Sequence, residues 1–172
     1  EFGTFCSRIG QRYGSDIYYY QLLNEMNHAP EVSGDAATFF NSCYNGLLSG
    51  EGTTAAAHKS SFRTIVNTFA DFPSEQLWPA DMAGWLNGAA ASIDVIAIDH
   101  YPATYTGFPC SEWSALDTLT SMMSTSGKDG AIMETGYAAT IFTWDQAAYV
   151  RCALPVIHDK TQANNQNHPG TP

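Results

Sequence analysis

Four stretches of the chain stay apolar until they break abruptly into polar residues. Residues 17–23 (IYYYQLL) run into Asn24 and Glu25, and residues 62–69 (FRTIVNTF), 93–99 (IDVIAID) and 130–137 (GAIMETGY) have the same character. Short, nearly continuous apolar runs rich in β-branched and aromatic residues are the signature of strands covered on both faces, as in parallel sheets. Between them the spacing turns helical. Residues 1–14 read as the end of a helix, and residues 35–48 (DAATFFNSCYNGLL) as a helix capped by Asp35 and closed near Gly50. A second helical piece is expected over 53–60. Pro79 opens a helix over 79–90 in the first-turn position that proline favours. Further helices are expected over 111–125 and 144–158, and residues 160–172 (KTQANNQNHPGTP) read as a flexible C-terminal tail. The order is β-α-β-α-β-α-β-α with no hairpin turn between strands, which predicts an α/β fold of parallel βαβ units. One domain is expected over 1–159, followed by the tail.

Composition narrows the function classes. The 172 residues fit one domain, and 44% apolar with 14% charged residues is a folding composition. Seven Lys+Arg against seventeen Asp+Glu give a net charge of −10, which repels phosphate backbones and anionic lipid and argues against nucleic acid and membrane as partners. No apolar run is long enough to span a bilayer. Cys6, Cys43, Cys110 and Cys152 lie far apart with no CxxC, so neither a zinc finger nor a redox dithiol is indicated. Their even number in an acidic, Lys-poor chain fits two disulfides in a secreted, extracellular protein whose leader has been removed. Three pairings remain open at this level, as do four buried thiols.

Chemistry concentrates where the strands end. Their carboxyl ends deliver Asn24-Glu25 with Asn27 and His28, then Asn67 and Asp71, then Asp99-His100-Tyr101, then Glu134 and Tyr137. In parallel α/β folds these ends converge on the ligand site. Two carboxylates facing each other there are the minimum for glycosidic hydrolysis, and Glu25 and Glu134 are the pair available. Taken singly, each residue also has a plain structural role. Asn24 can cap a turn, His100 and Tyr101 can pack ahead of Pro102, and Asp94 and Asp99 can be solvated strand ends. Tyr18, Tyr19 and Tyr20 read as packing residues, as do Trp78, Trp85 and Trp113.

Three blocks resemble a known superfamily. YYYQLLNEMNH is similar to the fourth strand of retaining glycoside hydrolases with (β/α)8 barrels, which carry an Asn-Glu pair at that strand's end. DVIAIDHYPATY resembles the sixth strand of fungal secreted members, and GAIMETGYA their seventh. The resemblance runs from about residue 8 to residue 158. It implies that Glu25 is the general acid/base, that Glu134 is the nucleophile, and that Asn24 hydrogen-bonds the sugar 2-hydroxyl. Tyr101, or His100 next to it, would hold the nucleophile ionised, and His28 and Tyr137 would line neighbouring subsites. It further implies Cys6–Cys43 and Cys110–Cys152 pairing and a reaction needing no metal or organic cofactor.

The same resemblance predicts a partial, half TIM barrel equivalent to the fourth to seventh strands. The family barrel has eight strands and about 250 residues; nothing here matches strands one to three or eight, and residue 1 falls partway through the third helix. An open half-barrel exposes two edges and an apolar inner face. A second copy or a missing segment is therefore expected to complete it, the alternative being a sheet that curls on itself. The implied function is a retaining glycoside hydrolase, or a fragment of one, cleaving β-linked glucan or a related cell-wall polysaccharide. The rival is a catalytically inert carbohydrate-binding or defence protein built on a glycosidase scaffold. A structural surface protein without a small ligand is the third reading.

Overall fold

The computed structural model describes residues 1–28, 34–70, 77–101, 113–136 and 146–167. Strands β1 (Tyr19–Gln21), β2 (Arg63–Phe69), β3 (Val95–Asp99) and β4 (Asp129–Glu134) form one sheet in sequence order, and every neighbouring pair is parallel. Helices α1 (Phe2–Tyr13), α2 (Ala36–Glu51), α3 (Trp78–Ala89), α4 (Ser114–Ser126) and α5 (Gln146–Asn167) alternate with them. The α/β class and the run of parallel βαβ units expected from the sequence are what the chain adopts.

Strand alternation divides the sheet into two unlike faces. Val66, Ile96 and Ile98 point to the helices and join Phe40, Leu47, Met82 and Trp85 in the main core. Each such side chain contributes about 1.5–3 kcal/mol of burial. Trp78 and Trp113 are packed there too, as expected. The opposite face carries Ile65, Val95 and Ala97, with Ala131 beside them. Both faces of β2 and β3 are thus covered; β3 is nearly all apolar up to Asp99, while β2 buries Thr64, Asn67 and Thr68 among its apolar residues. The edge strands differ. Only Tyr20 of the tyrosine run enters the core, while Tyr18 and Tyr19 are 44% and 52% exposed, contrary to the packing role expected for all three. Strand β1, at one edge of the sheet, is three residues long and pairs with β2.

Two further expectations change. The stretch over 53–60 supplies only a single 3-10 turn, His58–Ser60. The tail expected from residue 160 is helical as far as Asn167, because α5 continues through Pro155. Beyond residue 159 the helix is tied down by an ion pair from Lys160 to Asp117 and by the Thr161 hydroxyl donating to the Ile157 carbonyl at 2.8 Å. Residues 168–172 lie outside the described residues.

Helices α1 and α2 cross closely and are joined by the Cys6–Cys43 disulfide, the pairing that the resemblance implied. Glycine permits the approach. A Cβ on Gly46 would sit 2.2 Å from the Gly3 carbonyl oxygen, and one on Gly50 would sit 2.2 Å from that of Ser7. The expected Cys110–Cys152 pair involves Cys110, which lies outside the described residues.

Below the sheet, at the amino ends of β2 and β3, Asp94 is 2% exposed rather than a solvated strand end. It accepts from the Thr64 backbone N–H at 3.0 Å, faces His58 Nε2 at 3.0 Å and lies 3.4 Å from Lys59 Nζ. Burial pushes its pKa up, but the Thr64 N–H, His58 and Lys59 together hold it below the ordinary carboxylate range. A depressed carboxylate pKa stabilises the fold above its unfolded value of about 3.9, and that contribution is lost as pH falls through the folded value. Asp94→Ala is therefore expected to cost about 3–5 kcal/mol near neutrality, as for breaking a buried pair. Urea unfolding should show the gap to wild type narrowing in acid.

Candidate active site

The site is assembled at the carboxyl ends of the strands. After β1 the chain passes Asn24 and places Glu25 in the left-handed region at φ 46°, the one non-glycine residue with positive φ among the described residues. Such a conformation costs about 1–3 kcal/mol and persists only when its surroundings enforce it. Strand β2 does the enforcing. The Glu25 N–H donates to Asn67 Oδ1 at 3.1 Å. Two residues on, Asn27 is clamped to Phe69: its Nδ2 donates to the Phe69 carbonyl at 2.8 Å, and its Oδ1 accepts from the Phe69 N–H at 3.0 Å. The end of β2 thus grips the Glu25 segment on both sides.

Asn67 is 1% exposed and is the hub of this end of the sheet. Besides holding Glu25, its Nδ2 donates to Asn24 Oδ1 at 3.1 Å and to Asp99 Oδ2 at 2.5 Å. Asn24 Oδ1 also accepts from Gln21 Nε2 at 2.6 Å. With its carbonyl oxygen so occupied, the exposed Asn24 has its Nδ2 left to offer as a donor.

Glu134 reaches the site through a register irregularity. Ile98 pairs with Ile132, but Asp99 pairs with Glu134, so Met133 is an extra residue on β4. In an unbroken ladder Glu134 would share the helix-facing side with Ile132; one inserted residue turns it to the side of Asp99. The His100 N–H donates to the Glu134 carbonyl at 3.0 Å, and the Tyr101 hydroxyl donates to Glu134 Oε2 at 2.5 Å. Burial, followed by that hydrogen bond and the neighbouring carboxylates, raises the Tyr101 pKa and keeps its hydroxyl a donor.

One oxygen from each of Glu25, Asp99 and Glu134 lies within 4.8 Å of the others. Glu134 is exposed, Glu25 half-buried and Asp99 fully buried. Burial first, then the charges of Glu134 and Glu25, pushes the Asp99 pKa up to about 7.

Of the residues singled out in the sequence, Asn24, Glu25, Tyr101 and Glu134 come together here. His100 does not present its ring to Glu134; it is 5% exposed and packs edge-on to Trp113 at 5.0 Å between centroids. His28 lies on the rim with its ring 4.5 Å from that of Phe69. Tyr137 and Asp71 are outside the described residues. Asn67 and Asp99 were named among the strand-end polar groups but given no role, and Asp99, for which a solvated strand end was the plain alternative, is the most buried carboxyl of the site. The available signal was one amide within β2 and one acid closing β3.

No family model and no curated protein matches the chain. Among solved structures, one described in work on two fungal β-1,4-galactanases aligns with a TM-score of 0.65 at 13% identity, over 92% of this chain and 54% of that one. The likeness shows a partial TIM-barrel-like fold. The chain spans about half the length of the structure it matches.

Proposed function

We propose that this chain carries the catalytic residues of a retaining glycoside hydrolase acting on β-linked glucan or a related cell-wall polysaccharide. The observation that carries the reading is that one carboxyl oxygen of Glu25 and one of Glu134 lie within 4.8 Å of each other at the carboxyl ends of the sheet. The separation of the carboxyl groups, about 5–5.5 Å in retaining enzymes and about 6.5–9.5 Å in inverting ones, is what the product anomer below tests. Glu134 attacks the anomeric carbon, with the Tyr101 hydroxyl orienting its oxygen, while Glu25 protonates the departing glycosidic oxygen. Glu25 then takes a proton from water as the hydroxyl adds to the anomeric carbon and the Glu134 ester breaks. The Asn24 amide donates to the sugar 2-hydroxyl, and His28 lines a neighbouring subsite. These roles need no metal or organic cofactor. A second copy or a segment outside this chain supplies the remaining strands of the barrel. The disulfide and the galactanase likeness are compatible with secretion.

The expected result, read by proton NMR of a β-linked glucan and galactan panel, is that the first-formed product is the β-anomer. First appearance of the α-anomer would replace the double displacement by a single one. Glycan binding without hydrolysis would favour the inert carbohydrate-binding protein.

A further inference from the structure

Asp99 occupies a position that the two-carboxylate mechanism does not use. It is fully buried, and its two oxygens face different surroundings. Oδ2 accepts from Asn67 Nδ2 at 2.5 Å, Oδ1 is buried with no well-formed hydrogen bond among the described residues, and the Glu134 backbone N–H acts on the carboxyl from β4. Its neighbours are the Glu25 carboxyl, in side-chain contact with it, and the Glu134 carboxyl, all three within 4.8 Å. Three carboxyl groups this close, one of them fully buried, favour sharing a proton, because like charges at that distance resist ionising together; the Glu134 N–H offsets part of this at Asp99.

The proton has a preferred place. The Tyr101 hydroxyl already donates to Glu134 Oε2, so that oxygen is engaged from the other side. The titratable groups around Asp99 are Glu25 from the segment after β1, Tyr101 after β3 and Glu134 from β4, with the neutral Asn67 amide coming from β2. The neighbouring His100 packs its ring on Trp113. The shared proton therefore belongs between Asp99 Oδ1 and Glu25. We propose that Asp99 is a positioning residue that shares a single proton with Glu25, the acid/base of the reading above.

In catalysis, which rests on the glycosidase reading above, the step balances. As the glycosidic C–O bond breaks, the shared proton passes through Glu25 to the leaving oxygen, and Glu134 becomes a neutral ester. Asp99 and Glu25 are then both ionised, so the trio carries the same formal charge as before. When water attacks, its proton returns to the Asp99–Glu25 pair and Glu134 regains its charge.

Carboxyl-carbon NMR of the Asp- and Glu-labelled free protein tests the proton without any substrate. Asp99 is expected to hold its proton to about pH 7; titration near the ordinary value of about 3.9 would overturn the proposal. In Glu25→Gln, which removes the sharing charge, Asp99 should titrate at a lower pH; an unchanged titration would overturn the sharing. The second readout is the pH profile of kcat/KM in Asp99→Asn, whose amide oxygen can still accept from Asn67. The alkaline limb should move down by at least about one pH unit, with KM little changed and acid-side activity within about tenfold of wild type. An unmoved limb would overturn a role in the reaction. Hydrolysis of no glycan, with Asp99 titrating as expected, would overturn the glycosidase reading and leave the shared proton standing.

Discussion

Glu134→Gln is expected to reduce hydrolysis of a β-linked polysaccharide by about 10⁴-fold or more, equivalent to roughly 5.4 kcal/mol of transition-state stabilisation at 1.36 kcal/mol per decade. The amide cannot form the glycosyl ester that the double displacement requires. Little else should change. Glu134 is exposed, and the Tyr101 hydroxyl can donate to the amide oxygen as it does to the carboxylate. Stability gives an independent check. Glu134 is the leading electrostatic contributor, after burial, to the raised Asp99 pKa. An acid whose folded pKa is raised destabilises the fold progressively as pH rises from its unfolded value of about 3.9 towards its folded one. Neutralising Glu134 should therefore leave Tm unchanged in acid and raise it slightly near pH 7, where Asp99 titrates. Thermal melts and kcat/KM on the same preparation check both. Residual activity above about a tenth would remove Glu134 from the nucleophile role.

The contrast between Asp99 and Glu134 also shows what the residues alone could and could not disclose. Strand β3 was legible as a nearly continuous apolar run and β2 as a stretch rich in β-branched and aromatic residues, and their order among helices dictates parallel pairing. The carboxylate pair was legible as two acids at strand ends. Its geometry was not, because it depends on one inserted residue, Met133, that turns Glu134 inward, and an insertion has meaning only relative to the partner strand. The same limit left Asp99 and Asn67, though named at the strand ends, without a role. A polar residue in an apolar strand reads as a solvated end until register shows which face it occupies. Both lie on the face opposite the helices, two residues beyond Ala97 and Ile65. Register likewise decides between His100 and Tyr101: adjacent residues point to opposite sides, so one packs on Trp113 and the other reaches Glu134. The helical character of residues 160–167 was missed for a different reason, since their polar sequence carries no apolar stripe and their anchors include a tertiary ion pair to Asp117.

Glu25→Gln should behave differently from Glu134→Gln, and the difference separates the two roles. On a polysaccharide, whose leaving group is a poor one, loss of the proton donor is expected to lower kcat/KM by about 10²–10⁴-fold, the usual range for general acid catalysis. On an aryl glycoside with an activated leaving group the first step needs little protonation, so kcat/KM should stay within about tenfold of wild type. The second step still needs a base to take the proton from water. Glycosyl-enzyme should therefore accumulate on the aryl substrate, giving a burst of phenol followed by slow turnover and a lowered KM. The backbone at residue 25 has no reason to shift, because its N–H remains bonded to Asn67 Oδ1 and the left-handed turn is enforced from β2 rather than by the Glu25 side chain. A matching loss on polysaccharide and aryl glycoside would contradict the acid/base role. So would the absence of a burst, since a residue that merely oriented the substrate would slow both steps together.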